Sequence, residues 1–358
     1  MTSSTEVTLS GSFTGAVTAP SEVGFYWGTS SSSLTNKLPT SSVSTTSSDG
    51  GTFSATLSGL NPGTSYVFQA YATVSGTGQY SSEKWTFHAA SPMVFKTQGA
   101  TKPAVDKDWL ELASGKDGRQ YVVSTTLAGS ERNYTVFYDT SMMTPLWTAY
   151  PLKRGHMGSY PRPSSWSYNP NIDEKYQIKV TGGSYANSIY SRGHMCPNGS
   201  RNGNAKMQAQ TFYVTNQVPQ VQISFNSGIW SNLEGAVQGV ARNEEIYVVT
   251  GVAFNKEGEN RTISYTSPKA SSQRVPIPNY FYKLVLRVKT SAGGAVTDAV
   301  CVAFWFEHKA YSDSYTNYTV SVDEVEAWTG FDFFVNLPSE IEARCEAKNT
   351  SWSAFTSF

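Results

Sequence analysis

Four polar residues in the second half of the chain have types and spacing suited to chemistry on a phosphate ester. His194 closes the run Tyr190-Ser191-Arg192-Gly193-His194 and is followed by Met195-Cys196-Pro197. Imidazole has an ordinary pKa of about 6.5, so near neutral pH it can take a proton from an attacking water. Arg192 presents a guanidinium fork that matches phosphate geometry. Asn226 offers a neutral amide oxygen, a weak ligand suited to a hard cation that keeps most of its waters, such as magnesium. Glu234 follows eight residues later, a little over two helical turns, which would set it on the same side as Asn226 to hold metal-bound water. Each residue also has a plainer reading. A single histidine is usually structural, and an asparagine ahead of a helix is usually its N-cap.

The elements that must position these groups are legible in part. After Asn226, the apolar residues Ile229, Leu233, Ala236 and Val240 recur at helical spacing. Ahead of His194, Ser184–Tyr190 reads as a strand. Longer strands are expected at Tyr134–Tyr138, Glu245–Phe254, Tyr280–Val288 and Ala295–Phe306. A second helix is expected over Val322–Thr329, with Ser321 as N-cap and Glu324 three residues on in a capping box. Mixed strands and scattered helices make residues 108–358 an α+β domain. Residues 1–90 read instead as all-β, with short alternating runs such as Val23–Trp27 and Tyr66–Tyr71 between Gly, Ser, Thr and Pro. Residues 91–107 have few apolar groups and read as a linker.

A chain of 358 residues exceeds one ordinary core, and two domains follow from length alone. Only 15% of residues are charged, and Ser, Thr, Gly, Asn and Tyr are abundant, a balance typical of extracellular β-rich proteins. No run of about 18 apolar residues exists, so no membrane span is expected. No signal peptide is visible. The start Met1-Thr2-Ser3-Ser4 suits a chain whose export signal has been removed, and a secreted, periplasmic or cell-surface bacterial protein is expected. The three cysteines, Cys196, Cys301 and Cys345, lack zinc-site spacing and read as structural thiols. Net charge is zero, which argues against a uniformly basic nucleic-acid binder, yet residues 140–233 hold eight basic residues against two acidic ones, a local charge of +6. A polyphosphate ligand needs such a surface. Within it, Lys175, Lys179, Arg201 and Lys206 are candidates for sequence-independent contacts to nucleic-acid phosphates.

Several motifs now join. Ser191-Arg192-Gly193-His194 with Pro197 is followed by Thr215-Asn216-Gln217-Val218-Pro219-Gln220, then Asn226, then Trp230-Ser231-Asn232-Leu233-Glu234. In this order and near this spacing they resemble the DNA/RNA non-specific endonucleases, the ββα-metal, endonuclease G-like nucleases. Leu146–Tyr150, Tyr247–Gly251 and the run from Val322 to Phe334 also resemble elements of that family, so the likeness covers about residues 108–345. It implies a ββα-metal domain with a central antiparallel sheet flanked by helices. It implies hydrolysis of DNA and RNA with little base preference, leaving 5′-phosphate ends. His194 would be the general base, its other ring nitrogen fixed by a backbone carbonyl. Asn226 would be the direct ligand of Mg2+, with Mn2+ a substitute, and Glu234 would hold the metal through water. Arg192 would contact the scissile phosphate, and Arg162, in Tyr160-Pro161-Arg162-Pro163, matches loosely an arginine that stabilises the transition state. Asn216 would shape the site indirectly. Family members often form homodimers, although no dimer signature stands in this sequence. One residue departs from the pattern: the family's Asp before Arg-Gly-His is Ser191 here, which keeps hydrogen-bonding capacity but loses charge. That gives a foothold to a rival reading, a catalytically weakened nuclease fold serving as a surface binding or adhesion protein. The other histidines, His88, His156 and His308, read as structural or solvated. In the first domain, Leu57 to Tyr66, with Pro62-Gly63 at the turn, resembles the strand-turn-strand of fibronectin type III-like sandwiches, with Trp27 as an inner-face aromatic.

Overall fold

The computed structural model describes residues 6–15, 19–40, 43–47, 50–61, 65–82, 84–88, 94–98, 109–113, 121–178, 180 and 184–358. The chain separates into two compact units, one over Met1–Pro92 and one that takes in Tyr121–Phe358.

The first unit is all-β. Its strands are β1 (Glu6–Thr14), β2 (Glu22–Gly28), β3 (Asn36–Thr40), β4 (Val43–Ser47), β5 (Gly50–Ser58), β6 (Ser65–Val74), β7 (Thr77–Tyr80) and β8 (Trp85–His88). They form two sheets, β1-β5-β4 and β3-β2-β6-β7, with β8 also paired to β6. Alternation places Val23 and Phe25 of β2 against Leu9 and Phe53 of the other sheet. Trp27 is half-buried against Tyr66 at 5.7 Å between ring centroids. Tyr66 is buried, and its hydroxyl accepts the Asn61 N–H at 2.9 Å, tying the start of β6 to the chain just before it. The Pro62-Gly63 turn lies outside the described residues.

The second unit is built on one eight-stranded sheet. Its strands are β9 (Val94–Gln98), β10 (Tyr121–Ala128), β11 (Glu131–Asp139), β12 (Thr144–Leu152), β15 (Ile246–Ala253), β18 (Tyr280–Thr290), β19 (Val296–Glu307) and β20 (Thr319–Val320). The order is β20-β19-β18-β15-β12-β11-β10-β9, and every pair is antiparallel except β9 with β10. Part of the expected linker is therefore a sheet strand. Val94-Phe95-Lys96-Thr97-Gln98 has the β-branched and aromatic content to take the edge beside Val122–Thr126. Outside this sheet, β13 (Tyr190–His194) pairs with β14 (Gln217–Val221), and β16 (Ser264–Thr266) pairs with β17 (Val275–Ile277).

Among the described residues, five α-helices complete the unit: α1 (Ala205–Thr211), α2 (Ser231–Ala241), α3 (Val322–Thr329), α4 (Ser339–Glu346) and α5 (Trp352–Thr356). On α2 the core face is Leu233, Val237 and Ala241, in line with Ile229 before it. The periodicity pointed to Ala236 and Val240, which lie one stripe over and are only half-buried. The α3 capping box forms as expected, and Gly330 ends the helix in the left-handed region at φ 70°. The expected strand at Ser184–Tyr190 does not form. That stretch is bends and turns, with Asn187 Oδ1 capping the Ile189 N–H at 3.0 Å, and extended pairing begins at Tyr190. No helix among the described residues is long and apolar enough to cross a membrane.

Candidate active site

The site is assembled by β13, β14 and the chain leading into α2. Register pairs Ser191 with Gln220, Arg192 with Pro219, Gly193 with Val218 and His194 with Gln217. Gly193 is required by close approach: a Cβ there would lie 2.3 Å from Gln220 Oε1 and 2.6 Å from its Cβ. Asn216, fully buried just before β14, clamps the chain beyond His194. Its Oδ1 accepts the Cys196 N–H at 2.8 Å and its Nδ2 donates to the Cys196 and Thr211 carbonyls at 3.0 and 2.9 Å. All three cysteines are free and buried, and burial pushes the Cys196 thiol up to about 11.

The His194 ring lies between Trp166, at 4.7 Å, and Phe212, at 4.9 Å. Two guanidinium groups flank this stack, Arg192 over Trp166 at 5.3 Å and Arg162 over Phe212 at 5.1 Å. Arg192 also donates to the Val180 carbonyl at 3.1 Å. Burial and then the two arginine charges push the His194 imidazole down to about 3, so it is neutral at physiological pH. The expected carbonyl partner for the ring is not found: Nε2 is covered and has no hydrogen-bond partner among the described residues. Aromatic walls hold the ring instead.

Asn226 is half-buried in Gln222–Trp230, a stretch whose backbone leaves the helical region at Ile223, Ser224, Ser227 and Gly228. The uninterrupted helix expected to carry both Asn226 and Glu234 is thus broken between them, and their spacing alone does not set a common face. A different device orients Asn226. Its Nδ2 donates to Ser191 Oγ at 2.8 Å and to Gln222 Oε1 at 3.1 Å, while Ser191 Oγ donates to the Gln220 carbonyl at 3.3 Å. Both hydrogen bonds of the carboxamide use its nitrogen, which leaves Oδ1 as the donor atom on offer. A lone neutral oxygen fits a hard, largely hydrated cation such as Mg2+ and does not fit a soft metal.

Glu234 sits in the first turn of α2, where burial raises its pKa and the Lys283 ammonium opposes that rise. Lys283 is buried in β18, donates to Thr250 Oγ1 at 2.5 Å and lies over the Trp230 ring at 4.6 Å. Trp166, Phe212, Gln222 and Lys283 were missed by motif reasoning. Lys283 alone had a visible signal, a single cation inside the apolar run Tyr280–Leu286.

Among the expected phosphate-binding cations, Lys175 and Lys206 are exposed, and Lys179 lies outside the described residues. Arg201 is a correction. It is fully buried and donates to Asn133 Oδ1 at 2.6 Å and to the Asn133, Pro151 and Ser200 carbonyls at 2.7–2.8 Å, so it braces the fold and cannot reach a ligand. His156, 3.3 Å from Arg201, is buried and pushed down to about 4.

A family model described as DNA/RNA non-specific endonuclease matches residues 114–340. A nuclease of Nostoc sp. is 28% identical over 224 residues, 61% of this chain and 77% of that protein. The mitochondrial nuclease EXOG of Xenopus laevis is 28% identical over 235 residues, 63% of this chain and 60% of its own length. Nuclease C1 of Cunninghamella echinulata is 29% identical over 241 residues, 66% of this chain and 86% of that protein. In fold, the chain is similar to a structure of an EndoG/EndoGI complex, with a TM-score of 0.51 at 22% identity over 60% of this chain and 87% of that one. The family match spans well over half of the sequence and falls on the unit that carries His194 and Asn226: this chain belongs to the DNA/RNA non-specific endonuclease family.

Proposed function

We propose that the chain is a metal-dependent endonuclease that hydrolyses DNA and RNA with little sequence preference. The observation that carries this reading is the neutral His194 ring, walled by Trp166 and Phe212 and flanked by Arg162 and Arg192, on the strand whose Ser191 orients Asn226. A bound cation would supply Lewis-acid stabilisation of charge developing on the phosphate. Asn226 Oδ1 would hold it directly and Glu234 through water. Arg162 and Arg192 bind the phosphodiester oxygens, and their charges favour the more negative transition state over the ground state. Once the phosphate offsets those charges, the arginines' share of the depression is relieved while that of burial stays, and His194 becomes a stronger base. Water attacking in line with the 3′ oxygen leaves a 5′ phosphate. Nothing in this set reads a base edge, which accounts for low sequence preference. Mg2+ is the expected ion and Mn2+ its substitute.

The first unit we read as a fibronectin type III-like spacer or adhesive module. Its two-sheet plan and the Tyr66–Asn61 hydrogen bond support this, as a tyrosine at a strand corner does in such sandwiches. Secretion or display at a bacterial surface follows from composition, and a homodimer is the oligomeric expectation from the family.

The test is digestion of plasmid DNA and total RNA with and without EDTA, comparing the unaltered protein with His194→Ala. Metal-dependent loss of both substrates, abolished by the substitution, is expected. No cleavage with magnesium, manganese or calcium would replace this reading with the surface-binding one and point to Ser191.

A further inference from the structure

Far along the chain from His194 and Asn226, three acidic side chains converge where α3 and α4 meet. A carboxylate oxygen from each of Asp323, Glu326 and Glu346 lies within 4.8 Å of the other two. None of the three forms an ion pair among the described residues. Arg344, on the same helix as Glu346, is turned away to Asp298 at 2.5 Å, and Glu324 is committed to the α3 capping box. Clustering of acids is common and decides nothing alone. The deciding observation is Glu346. It is only 4% exposed, and its Oε1 is buried without a hydrogen-bond partner. A buried carboxylate left this way is costly unless a proton or a cation satisfies it.

We propose that Asp323, Glu326 and Glu346 form a second metal site, for a hard divalent cation of the calcium class, which ties α3 to α4. A proton would satisfy one carboxylate and leave the others facing each other, whereas a divalent ion satisfies all three. The donors are oxygens, and the nearby thiol of Cys301 is engaged with the Cys345 carbonyl, so soft metals are disfavoured. Two calcium ligands on opposite sides of the ion are about 4.8 Å apart, given Ca–O distances of roughly 2.4 Å, and the flexible coordination of calcium tolerates an irregular set completed by water. Asp323 is exposed, Glu326 half-buried and Glu346 buried, so the site opens to solvent and deepens inward. Without the ion, burial and neighbouring acids, Asp332 and Glu342 among them, push Glu346 up to about 10 and Glu326 to about 7.

The proposal is tested by thermal unfolding of the full chain carrying Asn226→Ala, which removes the other cation ligand, in EDTA and in millimolar calcium. Calcium should raise the Tm of the transition of the second unit by roughly 5 °C or more when it exceeds its Kd about 100-fold. Adding Glu346→Gln should abolish the shift. Adding Asp323→Asn, an exposed change that cannot disturb the core, should reduce it by at least half. No calcium- or magnesium-dependent shift in the Asn226→Ala protein would overturn the site, as would an undiminished shift after Glu346→Gln.

Discussion

At the scale of single residues, the weight falls on side chains that hold others. Ser191 stands where the motif resemblance led to an aspartate, and its hydroxyl accepts from Asn226 Nδ2. Ser191→Ala should leave folding intact and loosen the carboxamide, raising the half-saturating Mg2+ concentration by about 3–10-fold, the worth of one hydrogen bond. A magnesium titration of plasmid cleavage reads this, and an unchanged requirement would assign orientation to Gln222 alone. Lys283 acts on Glu234 by charge. Its ammonium opposes the rise that burial imposes on the carboxyl, so Lys283→Met should lift the Glu234 pKa further. In the proposed mechanism, with His194 depressed to about 3 and burial raising the Glu234 carboxyl, an acid limb of kcat/KM near neutrality would belong to Glu234. The variant should therefore shift that limb to higher pH and regain activity as pH rises, measurable as a pH profile of kcat/KM. The motif made His194, Arg192 and Asn226 legible because it reflects local chain order. Trp166 and Phe212 were hidden because they reach the ring from outside it, and a wall of this kind leaves no spacing to read.

At the scale of elements, the ββα unit is held at the end of β14 by a histidine that looked dispensable. His308 Nε2 accepts the Val221 N–H at 2.8 Å, and its Nδ1 faces the Pro278 carbonyl at 2.8 Å. Only the neutral ring with hydrogen on Nδ1 can do both. Burial pushes this imidazole down to about 4. The unfolded chain therefore binds the proton first as pH falls. The contribution is complete above about pH 6.5 and declines steadily toward pH 4, by about 3 kcal/mol at most. Urea unfolding of His308→Asn should show a cost relative to the unaltered protein that is largest near pH 7 and shrinks toward pH 4. A cost independent of pH would place the role of His308 in packing against Phe281. Periodicity found α2 and a capping box found α3, but neither recorded the break at Gly228. Glycine there frees the backbone to leave the helix, at φ −129° and ψ −114°, and nothing in apolar spacing records such a turn. Arg201 misled for a related reason. Its charge marked it as a phosphate contact, while three carbonyl acceptors drew the guanidinium inside.

At the scale of the whole molecule, composition divided the chain into an all-β part and a mixed part, and the sheet boundary shows where that division falls short. Val94–Gln98 lies within residues 91–107, a Pro- and Gly-bearing stretch with few apolar residues that reads as linker, yet it pairs in parallel with β10. Parallel edge pairing comes from a partner distant in register rather than from a local hairpin, and leaves little trace in sequence. Its consequence is physical. Beyond β9, β10 would present unpaired N–H and C=O groups along Val122–Thr126, a template for association. Two truncations distinguish a linker from a sheet strand. A chain starting at residue 93 keeps β9 and should stay monodisperse, or a defined dimer, with nuclease activity per molecule near that of the full chain. A chain starting at residue 108 keeps His194, Asn226 and Glu234 but bares β10, and should unfold at lower temperature and aggregate in a concentration-dependent way. Light scattering together with thermal unfolding reads both. If the two fragments behaved alike, β9 would contribute nothing to the sheet it borders, and residues 91–107 would act as the spacer that their composition suggests.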